Sequence, residues 1–513
     1  MVQAWIALNQ RQRRTASYPA SLGLCCVATM SNPNSAPTVT RDPADSDLQA
    51  KPPRVMGLAD VTLFMVTAGC SLQWTATAAA AGPSSLIVWL FGVVGMFLPI
   101  SVSVVLLSAG YPEEGGLCSW TRRAFGPFVG FMTGWTYWSG TLAFLPSVLY
   151  FSAGSALLST PGNTANASPV YFVCFSIAAI LGAAILNVRG LAKAKWLNGA
   201  GAVARWVGIL LLIVLALATW WRFGSATDIN RHTIVPSFRL ADVIFWTALA
   251  FAFTGPEAAS FMDAEIREPR RTIPRALALA APMIAAVYIV GTACILFAIP
   301  PERAAGVYGA IEAIRAAAGR LDLSWLIPLG GACVVVDRIG SMCLWIGALA
   351  RLPTSVGVDR YLPKRFTKLH PKYGTPAFAI WTQAIVVALL VILGQSGTSV
   401  RGGYNVLIEM MIVSSLVPFL FLFGAAIKLS AGEGVVKKAR IPGGRLTVVV
   451  IALMGIATTI ASMVISFVPP PDEEQPTLAV IKIGGLTAVL LLGGAALYVA
   501  GSLRARRQVA LAL

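Results

Sequence analysis

The sequence predicts an all-α membrane protein with roughly twelve transmembrane helices. They form a 5+5 inverted repeat with broken helices one and six, plus two C-terminal helices. Three observations carry this expectation. Hydrophobic residues make up 57% of the chain, charged residues only 12%, and mean hydropathy is +0.74. Apolar stretches long enough to cross a bilayer recur along the chain. One of them, residues 240–262, is interrupted at its middle by Thr254-Gly255-Pro256-Glu257.

In order, apolar segments fall at about 57–78, 85–108, 126–158, 168–187, 196–221 and 240–262. They continue at about 277–299, 324–350, 376–395, 403–430, 445–468 and 477–501. Each approaches the length a helix needs to cross the hydrocarbon layer. The third is long enough to be tilted or to extend beyond the bilayer. In the sixth, Pro256 removes a backbone donor and Gly255 adds backbone freedom. Lipid cannot satisfy the polar groups so released, so the break must face protein or a water-filled cavity. An inverted repeat places a matching break in span one. There the chain reads Thr67-Ala68-Gly69-Cys70-Ser71, a run of small residues that would equally suit a close helix-packing face.

The formal net charge of +17 is a topology signal. Lys and Arg alternate between loops, with about 25 on one side and about 7 on the other. That asymmetry places both termini in the cytoplasm and the chain in the inner or plasma membrane. It also argues against nucleic acid as a partner; the lipid bilayer is the expected one. Residues 1–55 read as a disordered cytoplasmic tail, 56–503 as the membrane domain and 504–513 as a short cytoplasmic tail. Met30 is an alternative start. No Cys/His spacing suggests a metal, no cofactor is implied, and no outer-loop cysteine is placed to hold a disulfide-linked heavy chain.

Tyr111-Pro112-Glu113-Glu114-Gly115-Gly116, Trp120, Ala124-Phe125-Gly126-Pro127 and Gly134-Trp135 are together similar to the loop after span two in the amino acid–polyamine–organocation (APC) permease family. The segments from Phe251 to Glu257 and from Ala264 to Ala276 resemble its span six and the loop beyond. Asp359-Arg360-Tyr361-Leu362-Pro363 and the stretch from His370 to Pro376 resemble the loop after span eight, and Tyr404-Asn405-Val406-Leu407 the start of span ten. The wording around Trp138-Ser139-Gly140 is nearest to the polyamine-uptake branch. The resemblance covers about residues 57–428 and implies an APC-type transporter domain that moves amino acids or amines by alternating access. One departure stands out: the family's glycine-rich span-one motif falls on Ala68-Gly69-Cys70-Ser71-Leu72, where two glycines are replaced. In amino-acid-transporting relatives the N–H groups of that motif receive the substrate carboxylate. The replacement leaves room for a substrate without one.

On these grounds Ala68, Gly69, Cys70 and Ser71 are candidate substrate-binding residues. Carbonyls freed around Phe253, Thr254 and Gly255 are candidate acceptors for a substrate amine, and Phe251 is either an aromatic lid or a core residue. Glu257, an acid at membrane depth beside the break, is the candidate for proton coupling. The resemblance places Arg205 where many members carry a lysine that substitutes for the sodium ion of sodium-coupled relatives. Arginine keeps its charge, so Arg205 is expected to be a permanent stand-in cation, or else to snorkel to the interface. Asp337, Ser341 and Trp345 share one helical face. Asp337 and Trp345 could favour a cationic substrate, or Asp337 could simply neutralise Arg205 or Arg338. Trp345 falls where an arginine–agmatine exchanger of the family has its gating tryptophan. Glu409 reads as interfacial. Neither a nucleophile–base pair nor a filter-like charged ring is present, which disfavours an enzyme and a channel.

Overall fold

The computed structural model describes residues 56–111, 116–160, 162–163, 168–236, 240–262, 266–350, 361–366, 368–469 and 475–512. The N-terminal tail with Met30 lies outside the described residues, as do 112–115, 264–265 and 359–360 of the motifs above. Predicted span one consists of two pieces, α1 (Leu58–Gly69) and α2 (Leu72–Ala80). Next come α3 (Ser85–Gly110), the amphipathic α4 (Gly116–Phe125), α5 (Pro127–Ser159), α6 (Pro169–Val188) and α7 (Leu191–Phe223). Predicted span six is α8 (Leu240–Ala252) followed by a 3-10 turn, Pro256–Met262. Then follow α9 (Pro269–Ala298), the short α10 (Gly309–Arg320), α11 (Leu326–Leu349), α12 (Ala377–Gln395) and α13 (Val400–Leu429). The last two are α14 (Gly444–Ile465) and α15 (Pro476–Ala512).

Among the described residues ten helices are long and apolar enough to cross a membrane, and the pieces of the two interrupted segments are shorter than that. Local chemistry sets many of the boundaries. Pro127 and Pro169 open α5 and α6 at positions where a helix needs no N–H donor. Ser168 and Ser399 accept hydrogen bonds from Val170 N and Gly402 N, capping α6 and α13. α15 runs to Ala512, so residues 504–512, read from the sequence as a tail, continue the helix. Leu503, Arg504, Ala505 and Arg506 are good helix formers, and nothing there stops propagation.

The scaffold is held by close backbone contacts. α7 packs along α11 and α5 along α13. A Cβ built on Gly340 of α11 would lie 2.8 Å from the Leu197 carbonyl and 3.1 Å from Cα of Gly201, both on α7. One built on Gly140 of α5 would lie 2.7 Å from Cα of Ser415 on α13. Without hydrophobic drive between helices in lipid, such small-residue approaches supply much of the packing energy. They also fix the register in which α7 and α11 present their polar side chains. α5 and α13 are the most buried of the spans, whereas α14 and α15 lie at the periphery.

Candidate functional site

The helical path of span one stops at Gly69. Cys70 (φ −103°, ψ 134°) and Ser71 (φ −152°, ψ 133°) are extended, and Ser71 Oγ caps α2 by accepting from Gln73 N at 3.2 Å. The second break centres on Gly255, whose φ of +124° is one that L side chains rarely adopt. The two breaks abut: a Cβ on Gly255 would sit 3.5 Å from the Ala68 carbonyl. Ala68, Gly69, Cys70 and Ser71 are thus brought beside Phe253, Thr254 and Gly255, as the inverted repeat requires.

Tyr288 of α9, which the sequence reading missed, ties the breaks together. Its buried hydroxyl lies within hydrogen-bond distance of the Gly69 carbonyl and of the Ala252 carbonyl (3.2 Å). Its ring stacks on Trp89 at 4.2 Å between centroids. Trp89 in turn donates to Thr292 Oγ1 at 3.0 Å. Phe253 adds edge contacts to both rings. Its side chain fills the space that Gly92 of α3 leaves open, so it is a core residue and only its carbonyl remains for a ligand.

Phe251 meets Trp74 of α2 edge-on at 5.5 Å, and Phe144 of α5 stacks on Trp74 at 6.3 Å. These three aromatics lie on the side of the breaks from which α2 leaves. On the opposite side Met56 pairs with Ile266, and Arg267 N donates to Met56 O at 2.9 Å. Glu257 opens the 3-10 turn. Its Oε2 accepts from Gly255 N at 2.7 Å, and its Oε1 accepts from the Tyr137 hydroxyl of α5 at 3.3 Å. The acid therefore braces the break and links it to the scaffold.

The close approach of Gly201 and Gly340 brings two arginines and one acid together. One turn beyond Gly201, Arg205 donates from Nε to Asp337 Oδ1 at 2.9 Å and from one terminal nitrogen to Ser341 Oγ at 2.7 Å. Its other terminal nitrogen donates to the Thr67 carbonyl of α1. Arg338 donates from Nε to Asp337 Oδ2 at 2.9 Å and from a terminal nitrogen to Ser71 Oγ at 2.9 Å. Asp337, Arg338 and Arg205 are 1%, 3% and 8% exposed. Arg205 does not snorkel to an interface. Both oxygens of Asp337 are taken by guanidinium groups, which is the ion-pair alternative for this residue and leaves it poorly placed to receive a substrate amine. Trp345 packs against a second apolar cluster that includes Trp138 and Leu142 of α5. Glu409 is buried on α13, the helix that packs along α5. Among the described residues no group of three His, Cys, Asp or Glu side chains could hold a metal.

An interrupted pair of helices meeting at mid-bundle, braced by buried ion pairs, is the architecture of a carrier. A family model described as amino acid permease matches residues 56–489. The chain belongs to the amino acid permease family. The permease is 26% identical over 453 residues to an uncharacterized transporter of Legionella pneumophila, covering 87% of this chain and 95% of that one. It is 24% identical to a glutamate/gamma-aminobutyrate antiporter of Lactococcus lactis, over 73% of this chain and 76% of the relative. A probable agmatine/putrescine antiporter of the same species is 24% identical, over 62% and 67%. Among solved structures, MhsT in complex with L-phenylalanine superposes with a TM-score of 0.50 at 14% identity, covering 79% of this chain and 97% of that one, a likeness of fold. The permease is therefore a multi-pass membrane transporter of amino acids or amines.

Proposed function

We propose that this permease is a sodium-independent, alternating-access carrier of amino acids that couples to protons or exchanges substrates. The observation that carries this reading is the position of Arg205. Its guanidinium joins the Thr67 carbonyl at the end of α1 to Asp337 and Ser341 of α11. Carbonyl, carboxylate and hydroxyl oxygens gathered between two helices are what a hard cation would bind. A guanidinium that never loses its proton fills that role here without an ion that must enter and leave.

The substrate place is the junction of the breaks. Backbone N–H groups at the start of α2 face a carboxylate favourably, and the carbonyl ends of α1 and α8 face an ammonium. Phe251, Trp74 and Phe144 close one side, and movement of α1 opens the other. The glutamate and agmatine relatives leave both zwitterionic and cationic substrates in view. The guanidinium bonds to Asp337 favour a substrate with a carboxylate over a polyamine.

Counterflow tests the carrier reading. Proteoliposomes preloaded with an amino acid mixture in sodium-free medium are expected to take up labelled amino acid with a saturable rate that rises with internal substrate. Flux that neither saturates nor depends on internal substrate would indicate a channel.

A further inference from the structure

The ends of α3 and α13 and the start of α14 meet on one face of the bundle, where a short helix, Val435–Ala439, joins α13 to α14. Over residues 111–125 and 428–445, Lys and Arg outnumber the acids seven to three, the acids being Glu113, Glu114 and Glu433. The two stretches lie together. The Tyr111 hydroxyl donates to the Leu429 carbonyl at 3.3 Å, and Arg123 lies over the Tyr111 ring at 4.6 Å. Lys428 lies over the Phe125 ring at 5.4 Å. Val435 fastens the short helix to α3, since a Cβ on Gly110 would fall 2.5 Å from its Cγ1. With the backbone so held, Lys428, Lys437, Lys438, Arg440 and Arg445 form an exposed basic rim.

The position of the rim selects its occupant. Its cations flank the ends of three spans, and Lys and Arg clustered beside a span attract anionic headgroups. Exposed apolar side chains, Phe125 and Leu446, sit among them. A bilayer covers both kinds of surface, because a long basic side chain can lay its stem on hydrocarbon and its head on phosphate. A soluble acidic partner would match only the charges.

The rim also has a route to the second break. α4 ends at Phe125, under Lys428, and begins at Gly116, against the 3-10 turn Pro256–Met262. There a Cβ on Gly116 would fall 2.5 Å from Ser260 Oγ. One short helix thus touches the basic rim at one end and the broken segment at the other.

We propose that this rim binds the phosphodiester headgroups of anionic phospholipids, and that its occupation holds α4, and with it the second break, in the position that transport requires.

Stabilisation of the solubilised protein and counterflow after reconstitution test this together. Protein is titrated with dioctanoyl-phosphatidylglycerol, dioctanoyl-phosphatidylcholine or inorganic phosphate, and thermal stabilisation is read for wild type and for the triple variant Lys428→Gln, Lys437→Gln, Lys438→Gln. Phosphatidylglycerol is expected to stabilise the wild type at concentrations where the other two do not. The triple variant is expected to need at least about tenfold more of it. All three side chains are exposed, so the variant is expected to fold. In vesicles, adding phosphatidylglycerol to phosphatidylcholine is expected to raise the wild-type counterflow rate at least about threefold, and that of the variant less. Equal stabilisation by phosphatidylcholine or by inorganic phosphate, or an unchanged lipid requirement in the variant, overturns the lipid site. A wild-type rate indifferent to phosphatidylglycerol overturns its link to the break. Absence of counterflow in every lipid overturns the carrier reading instead, and the titration still decides the lipid site.

Discussion

Replacing Arg205 with alanine is expected to reduce counterflow of every substrate to near background. The side chain makes three hydrogen bonds that tie α1 to α11: to the Thr67 carbonyl, to Asp337 and to Ser341. Each is charge-assisted, and such bonds contribute about 1.5–3 kcal/mol. Losing them releases the end of α1 from α11 and leaves the Thr67 carbonyl without its buried donor. Asp337 retains Arg338, so the protein is expected to fold while α1 loses its fixed position. Lysine at this position has the charge but not the planar fork, so it is expected to restore part of the rate. Initial counterflow rates for the two variants, normalised to folded protein, check this. An alanine variant with wild-type rates would remove Arg205 from the coupling scheme.

The second large effect concerns Glu257. Glutamine there preserves size, and its amide can still accept from Gly255 N and donate toward the Tyr137 oxygen, so the break keeps its geometry. What it cannot do is exchange a proton. Glu257→Gln is expected to retain counterflow but to lose accumulation driven by an inward proton gradient, down to the level seen without the gradient. The readout is the ratio of steady-state uptake with and without the gradient. An unchanged ratio would move proton coupling to another group or leave the permease an exchanger.

Much of this site was legible in the sequence because it is written in local signals. Gly255-Pro256 marks a break wherever it occurs in an apolar helix, and the small residues from Ala68 to Ser71 mark its counterpart. Asp337 and Ser341 are four residues apart, so helical spacing alone put them on one face. The remaining parts depend on contacts that no local pattern encodes. Tyr288 meets Gly69 across 219 residues, and Arg338 meets Ser71 across 267. On the sequence, Arg338 looked like a neighbour that Asp337 might neutralise, and its second contact needed the fold. Tyr137 is one aromatic among several on a long apolar helix, with nothing to single it out as the partner of Glu257.

The claim that joins these observations is that a fixed guanidinium stands where a metal cation would bind between α1 and α11. It is tested most directly by the initial rate of amino acid uptake into proteoliposomes as sodium replaces choline at constant ionic strength. A rate that stays flat from sodium-free medium upward is the predicted result. A rate that rises and saturates with sodium would show that an ion site exists alongside Arg205, and would contradict the account.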